Sequence, residues 1–374
     1  MSNQTKARAA VIREFGKPYV IEDVLLDEPR GREVLVQVKG SGLCHSDENF
    51  ATNDVGIPLP MVLGHEAAGV VIGVGPDVTE TALGDHVVAC TVASCGRCDE
   101  CLQGYRVNCL HPEAASRAAG EPPRITAGGE PVTQFFGIGG FADHILVHES
   151  QLVPVDASVP LDRAALLGCA VVTGGGAVLR SAAVSAGDTV VVIGAGGVGL
   201  NAIQTAELVG ARKVIAVDLQ EDKLALAKRF GATHTVNPAD GDPVAQVMAI
   251  TGGQGVHHAF EVTGGAVPLK QAAAMLGRRG KVYIVGMQKP GAKLDWEVDA
   301  FSTAHIAFEQ GLRGVNMGST NFKIDVPYFA ELYLQNRYNL DGLVSNTIEL
   351  DDINDGYAAL GQGGVARSVI TFQA

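Results

Sequence analysis

The chain has few aromatic side chains, 5% of 374 residues with a single tryptophan, and little positive charge. Its 28 lysines and arginines face 41 aspartates and glutamates, for a formal net charge of −13. That acidity argues against sequence-independent binding to a phosphate backbone. No run of about 18 apolar residues occurs, so no membrane-spanning helix is expected. The opening stretch, Met1 to Ala10, is polar and basic and lacks the apolar segment of a secretory signal. Internal repeats, low-complexity tracts and long charge blocks are also missing. The length predicts two domains, each with its own core, in a soluble cytoplasmic protein that binds neither nucleic acid nor membrane.

The chain does have glycine, 47 residues scattered without period, and abundant Val, Ala and Ile. The first 170 residues read as strands and loops. Val34 to Val38 alternates around Gln37, Val70 to Val74 is β-branched, and Asp85 to Ala89 continues the pattern between turn glycines. Leu110 to Gly140 is rich in Pro, Gly and Ala and predicts a long surface excursion. After Thr173, strand and helix patterns alternate. Thr189 to Ile193 is an apolar run, Leu200 to Val209 is helical, and Lys213 to Val217 is a strand ending at Asp218. Glu221 to Phe230, Val236, His258 to Val262, Gly265 to Leu276 and Lys281 to Val285 continue the alternation. This is the pattern of an α/β fold with a doubly wound parallel sheet. From about Met317 the texture is mixed again, ending in a strand from Ser368 to Phe372. The tail is expected to fold back on the first lobe. The predicted domains are 1–172 with 317–374, and 173–316.

Four of the seven cysteines, Cys95, Cys98, Cys101 and Cys109, follow the spacing C-x2-C-x2-C-x7-C. Four thiolates in one loop can enclose a tetrahedral zinc, and with every position filled the metal staples the lobe and does no chemistry. Two disulfides or plain thiols are the alternative. The regular spacing and the missing secretory segment favour zinc, in a lobe spanning about residues 90–112. Cys90, in an apolar strand, reads as a small buried hydrophobe.

Gly194, Gly196 and Gly199 form G-x-G-x-x-G between a strand and a helix, through Ala195, Gly197 and Val198. The first glycine permits the tight turn, the second the approach of a pyrophosphate, and the third close helix–strand packing. The helix N-terminus offers free N–H groups to the phosphates. Asp218, nineteen residues past the last glycine, can accept bonds from both adenosine ribose hydroxyls and would repel a 2′-phosphate. No arginine follows it, so NAD is favoured over NADP. A helix N-cap is the plainer role for Asp218. Lys223 could reach the same ribose or stand solvated on its helix.

Cys44 and Cys169 remain, in Gly42-Leu43-Cys44-His45-Ser46-Asp47 and Gly168-Cys169, with Gly64-His65-Glu66 between them. Two Cys and a His could form a three-ligand zinc site with an open position, though singly each is as well explained by burial. Taken with the four-cysteine lobe, the glycine fingerprint with Asp218, and Val365-Ala366-Arg367-Ser368, these motifs make the chain similar to the zinc-dependent medium-chain alcohol dehydrogenases over essentially its whole length. The resemblance implies a Rossmann nucleotide domain and a discontinuous, GroES-like catalytic domain. It implies two zinc ions: a catalytic one on Cys44, His65 and Cys169, and a structural one on Cys95, Cys98, Cys101 and Cys109. It turns His45 and Arg367 toward the pyrophosphate and lays Val285-Gly286-Met287 along the nicotinamide.

The implied reaction interconverts primary alcohols and aldehydes. An alcohol takes the open zinc position, Ser46 removes its proton, and the zinc alkoxide delivers hydride to NAD. Asp47 is expected to bond the far nitrogen of His65, and Glu66 to approach the metal from behind. Many relatives carry a histidine where this chain has Asn49, which cannot act as a base. Proton exit is then expected through Ser46, the cofactor ribose and water, aided by Glu48 or His45. Alignment with the family places Thr91, Phe135 and Phe136 along the substrate channel. Thr91, standing where some relatives have a bulky aromatic, suggests room for branched or aromatic alcohols. The Leu110 to Gly140 excursion resembles dimeric members, so a homodimer is expected. The alternatives are a thiol-dependent formaldehyde dehydrogenase acting on an S-hydroxymethyl adduct, with Asp54, Arg117 or Arg124 as candidate contacts, and a non-catalytic zinc and nucleotide-binding scaffold.

Overall fold

The computed structural model describes residues 4–288, 306–362 and 366–373. The chain divides into two compact units, Met1–Cys169 with Asn321–Ala374, and Ala170–Thr320. The crossings thus fall three residues before and four residues after the boundaries expected from texture.

Among its described residues the second unit holds six parallel strands, Thr189–Ile193, Lys213–Val217, His234–Val236, Val256–Glu261, Leu276–Ile284 and Gly311–Gly314. Numbered in chain order they lie side by side as 3-2-1-4-5-6. Every residue of Thr189–Ile193 is buried, which explains its unbroken apolar run: helices cover both faces of a parallel sheet. The order reverses between Thr189–Ile193 and Val256–Glu261. A ligand crevice forms at such a switch, beyond the carboxyl ends of the strands. No single helix among the described residues is long and apolar enough to cross a membrane.

In the first unit Glu33–Gly42 is the central strand. It pairs antiparallel with Glu66–Val74, with His144–His148 and with the chain's last strand, Arg367–Thr371, where Val369 faces Gly42. The tail therefore completes the sheet begun near the N-terminus. Val365, part of the last motif read from the sequence, lies outside the described residues.

Two strand features refine the reading of this unit as strands and loops, and one helix departs from it. Thr5–Ile12, within the polar opening, is a strand whose Ala9 to Ile12 are fully buried. His45–Thr52 is a helix beginning directly after Cys44. The Leu110 to Gly140 excursion contains the strands Ile125–Ala127, Glu130–Pro131 and Thr133–Gln134, of which the first pairs with Val20–Leu26. That excursion is tied down by charge. Arg117 bonds both oxygens of Glu33, at 2.9 and 2.6 Å, and Asp27 Oδ2 at 2.6 Å, while Arg124 Nε reaches Glu33 Oε1 at 2.6 Å. The hydrogen bonds from Arg117 and Arg124 outweigh burial and hold the Glu33 carboxyl below its usual range.

Candidate metal centres and nucleotide site

The four lobe cysteines bring their sulfurs within 4.8 Å of one another. Cys98 and Cys109 Sγ are 3.9 Å apart, close to the edge of about 3.8 Å that a tetrahedron of Zn–S bonds would have. The N–H groups of Cys95 and His111 donate to Cys109 Sγ at 3.2 and 3.3 Å. Backbone N–H bonds also lower the Cys98 thiol to about 6. All seven cysteines are free. Donors aimed at sulfur stabilise thiolates, the form that binds metal, so this donor set fits zinc.

A second group unites Cys44, His65, Glu66 and Cys169, all buried, with one ligand atom of each within 4.8 Å of the others. The local fold explains the convergence. Cys44 is the residue before the helix His45–Thr52, and His65 directly precedes the strand Glu66–Val74. Cys169 follows the short helical turn Ala165–Gly168. Gly64 is required beside His65. Its φ is +89°, and a Cβ there would stand 2.5 Å from the Phe141 nitrogen. Asp47 Oδ1 lies 2.9 Å from His65 Nδ1 and accepts the Gly64 N–H at 3.0 Å.

The buried groups perturb one another's protonation. A bond from Cys169, with Arg367 and His65 assisting against burial, holds the Cys44 thiol well below its ordinary range; the same bond and burial push Cys169 well above. Burial favours neutral His65, but Asp47 and Cys44 outweigh it and raise the imidazole. Burial raises Asp47 and pushes Glu66 up to about 7, against the pull of Arg367 on the latter. Arg367, which the resemblance turns toward a pyrophosphate, is 3% exposed, with its guanidinium 3.5 Å from Glu66 and 3.9 Å from Cys44 Sγ. Two sulfurs, an imidazole and a carboxylate in one buried pocket fit zinc.

Of the other predicted residues, Ser46 is half-buried and His45 exposed on the first turn of their helix. Asn49 accepts from Asn53 Nδ2 at its side-chain oxygen, at 3.0 Å. Phe135 and Phe136 approach the His65 ring at 6.3 and 6.2 Å. Phe135 is buried in the core and Phe136 is 46% exposed. Thr91 is half-buried, two residues past the strand His86–Ala89. Cys90 is fully buried, and burial pushes its thiol up to about 12. Phe50 was missed. It packs on Phe135 at 4.7 Å and on Phe136 at 6.1 Å. Its place six residues after Cys44 was a usable signal only once a helix there was recognised.

In the second unit the fingerprint glycines separate into two kinds. A Cβ on Gly199 would meet the Gly194 carbonyl oxygen at 1.8 Å, so the fold itself demands that glycine. A Cβ on Gly196 would meet nothing within 4 Å, and its φ of −78° suits any residue. No atom among the described residues explains that glycine, and the open space beside it would let a pyrophosphate approach the backbone. The helix Gly197–Leu208 starts directly after it. Asp218 Oδ2 accepts the Ala195 N–H at 2.8 Å and Oδ1 that of Gln220 at 3.0 Å. The cap of the helix Glu221–Arg229 is Gln220, not Asp218. Lys223 is half-buried on that helix. Val285 and Gly286 both donate to the Glu261 carbonyl, at 2.8 and 2.9 Å, and Met287 is 49% exposed. The carboxylate of Glu261, also unforeseen, is fully buried and accepts the Thr263 and Gly264 N–H groups at 2.7 and 3.0 Å.

Residues 30–157 match the alcohol dehydrogenase GroES-like domain, and residues 197–332 match the zinc-binding dehydrogenase domain. The chain is 37% identical to the NDMA-dependent alcohol dehydrogenase of Amycolatopsis methanolica, covering 99% of this chain and 100% of that one. It is 33% identical to the S-(hydroxymethyl)glutathione dehydrogenase of Paracoccus denitrificans, covering 98% and 100%. The crystal structure of benzyl alcohol dehydrogenase from Acinetobacter calcoaceticus superposes with a TM-score of 0.91 at 33% identity, covering 99% and 100%. The chain belongs to the zinc-binding alcohol dehydrogenase family. It is an alcohol dehydrogenase, with zinc and a nicotinamide nucleotide as cofactors and small alcohols and aldehydes as substrates.

Proposed function

We propose that this enzyme interconverts primary alcohols, bulky and aromatic ones included, with their aldehydes, using NAD at the Cys44–His65–Cys169 centre. One observation carries the reading: donors from three distant points of the chain converge, with Glu66, within 4.8 Å in a buried pocket. Zinc bound there supplies a Lewis acid that lowers the pKa of a hydroxyl, and the nicotinamide supplies the hydride acceptor.

The chain's own groups do the rest. Asp47 occupies His65 Nδ1 and leaves Nε2 for the metal. Ser46, on the first turn after Cys44, takes the hydroxyl proton. Asn49 cannot act as a base, so the proton leaves by Ser46 and water with help from Glu48 or His45. Arg367 balances the charge of Glu66 behind the ligands. Gly194 to Gly199, Asp218, Lys223, His45 and Val285 to Met287 hold the nucleotide. Asp218 supports NAD, since its carboxylate would repel a 2′-phosphate.

Free cysteines support a reducing, cytoplasmic setting. The edge strand Gly311–Gly314, with Leu312 42% exposed, supports a homodimer joined through the nucleotide units.

One relative acts on a glutathione adduct by name, which raises a second reading. Against it, Arg117 and Arg124, the cationic candidates for the adduct's carboxylates, are spent on Glu33 and Asp27. A panel of alcohols with NAD and NADP, followed by absorbance of the reduced nicotinamide, tests the proposal alongside metal analysis. NAD-linked oxidation by protein carrying zinc at both centres supports it. Formaldehyde turnover only with added glutathione would install the second reading. Zinc at the cysteine lobe alone, without turnover, would leave a scaffold.

A further inference from the structure

The strand His144–His148 runs into a short buried turn, Glu149–Gln151, on which distant segments of the chain meet. The Glu149 carboxylate accepts the N–H groups of Thr79 and Glu80, at 2.8 and 2.7 Å, and pairs with Arg32. Gln151 Nε2 donates to the carbonyls of Phe136 and Cys90, at 2.8 and 3.3 Å, and the Cys90 N–H donates back to the Gln151 carbonyl at 2.8 Å. Lys323, on the helix Phe322–Leu334, donates to the Glu149 and Leu152 carbonyls, at 3.0 and 2.5 Å. One ring nitrogen holds the start of this turn. His148 Nδ1 accepts the Ser150 N–H at 3.1 Å and lies 2.9 Å from Ser150 Oγ. An amide N–H can only donate, so Nδ1 must present its lone pair, and the proton of the neutral ring sits on Nε2.

We propose that His148 is a proton-operated latch: a proton gained at Nδ1 expels the Ser150 N–H and loosens the turn's grip on Cys90, Phe136 and Lys323. The Ser150 hydroxyl can rotate and accept from the new N–H. The amide cannot, and in a residue 3% exposed it becomes a buried donor without a partner. Four charged groups surround the ring: Arg32, Arg124, Glu149, and Glu33, its register partner on the neighbouring strand. Burial and the two arginines outweigh the two carboxylates and hold the imidazole below its ordinary range. Hydrogen bonds outweigh burial for Glu33 and Glu149 and hold both carboxyls low, so they stay charged while His148 titrates. Lys323 and Glu80, which also touch the turn, pair with each other at 2.6 Å. The unfolded chain therefore takes up the proton first. The latch's contribution is whole above about pH 6.5 and is lost as pH falls from there through the folded value. The proposal is independent of the chemistry at Cys44, His65 and Cys169.

His148→Asn supplies the proton-blind control, because an asparagine oxygen can accept the N–H two residues on and does not titrate. Hydrogen exchange of the 149–152 amides is measured in the native and variant full-length proteins from about pH 7.5 to about pH 5.5. Dividing one rate by the other at each pH cancels the intrinsic pH dependence of exchange. The native-to-variant ratio is expected to rise about tenfold across that range, as one proton-linked step allows. The 135–139 amides are expected to follow in the same direction, since Gln151 lets go of the Phe136 carbonyl. His148→Ala, which offers no acceptor, is expected to exchange quickly at every pH. A ratio that stays flat, or native-like protection in His148→Ala at neutral pH, would overturn the latch. Should the variants misfold, an NMR titration of the native protein decides. A His148 midpoint below that of free histidine, with the neutral ring protonated at Nε2, supports the proposal; a midpoint at or above it, or a proton on Nδ1, rejects it.

Discussion

Nδ1 of His65 lies 2.9 Å from Oδ1 of Asp47, and both side chains are buried, at 2% and 0% exposed. The same oxygen takes the Gly64 N–H, so one carboxylate sets both the ring and the backbone that carries it. Asp47 itself stands on the helix begun at Cys44. The pair therefore couples Cys44 to His65 through three residues of helix.

Asp47→Asn keeps the shape and an acceptor oxygen but removes the charge that orients and polarises the ring. Zinc affinity at this centre is expected to fall about 10- to 100-fold, as for other partners of metal-bound histidines. Chelator competition followed by metal analysis checks this. The four-cysteine zinc should be retained, which separates the effect from unfolding.

Glu33 makes stability depend on pH. Its carboxyl is held below its unfolded value, so its contribution is present above that value and is lost as pH falls through the folded one. Glu33→Ala strands Arg117 and Arg124 without their shared partner and is expected to cost about 3 kcal/mol at pH 7. In urea unfolding, the gap between native and variant should shrink steadily as the solution is acidified below pH ~4. A gap independent of pH would contradict the account.

Asp218→Asn leaves an oxygen to accept the Ala195 N–H while removing the negative charge. The ratio of kcat/KM for NADP to that for NAD should rise at least about tenfold, mostly through NADP. Steady-state kinetics with both cofactors decide the matter.

Asn49→His adds a titratable group to the helix that begins after Cys44. The pH–rate profile should gain activity near pH ~6.5, where an imidazole can carry the proton onward. An unchanged profile would mean that Ser46 and water suffice.

The second unit was readable because its signals are local. The predicted strands Thr189 to Ile193 and Lys213 to Val217 are the observed ones, since a parallel strand buried on both faces needs an unbroken apolar run. The helix His45–Thr52 was not readable. Its residues are poor helix formers, and no side chain caps it at Cys44. Tertiary bonds such as those of Asp47 to His65 and Gly64 anchor it. The short strands inside the excursion from Leu110 to Gly140 were not readable for a similar reason. The groups that anchor Arg117, Glu33 and Asp27, are 84 and 90 positions away.

Taken alone, the sequence determined the ligand types, the four-cysteine lobe, the nucleotide fingerprint and the acidic residue after the second strand of that sheet. Each depends on short-range spacing or on residue chemistry that survives in any context. Only the tertiary structure decided that Cys44, His65 and Cys169 meet, that Arg367 sits against Glu66, and that Gln151 secures Phe136. Those contacts join segments far apart in the chain, and their geometry follows from strand register and packing, which no local pattern encodes.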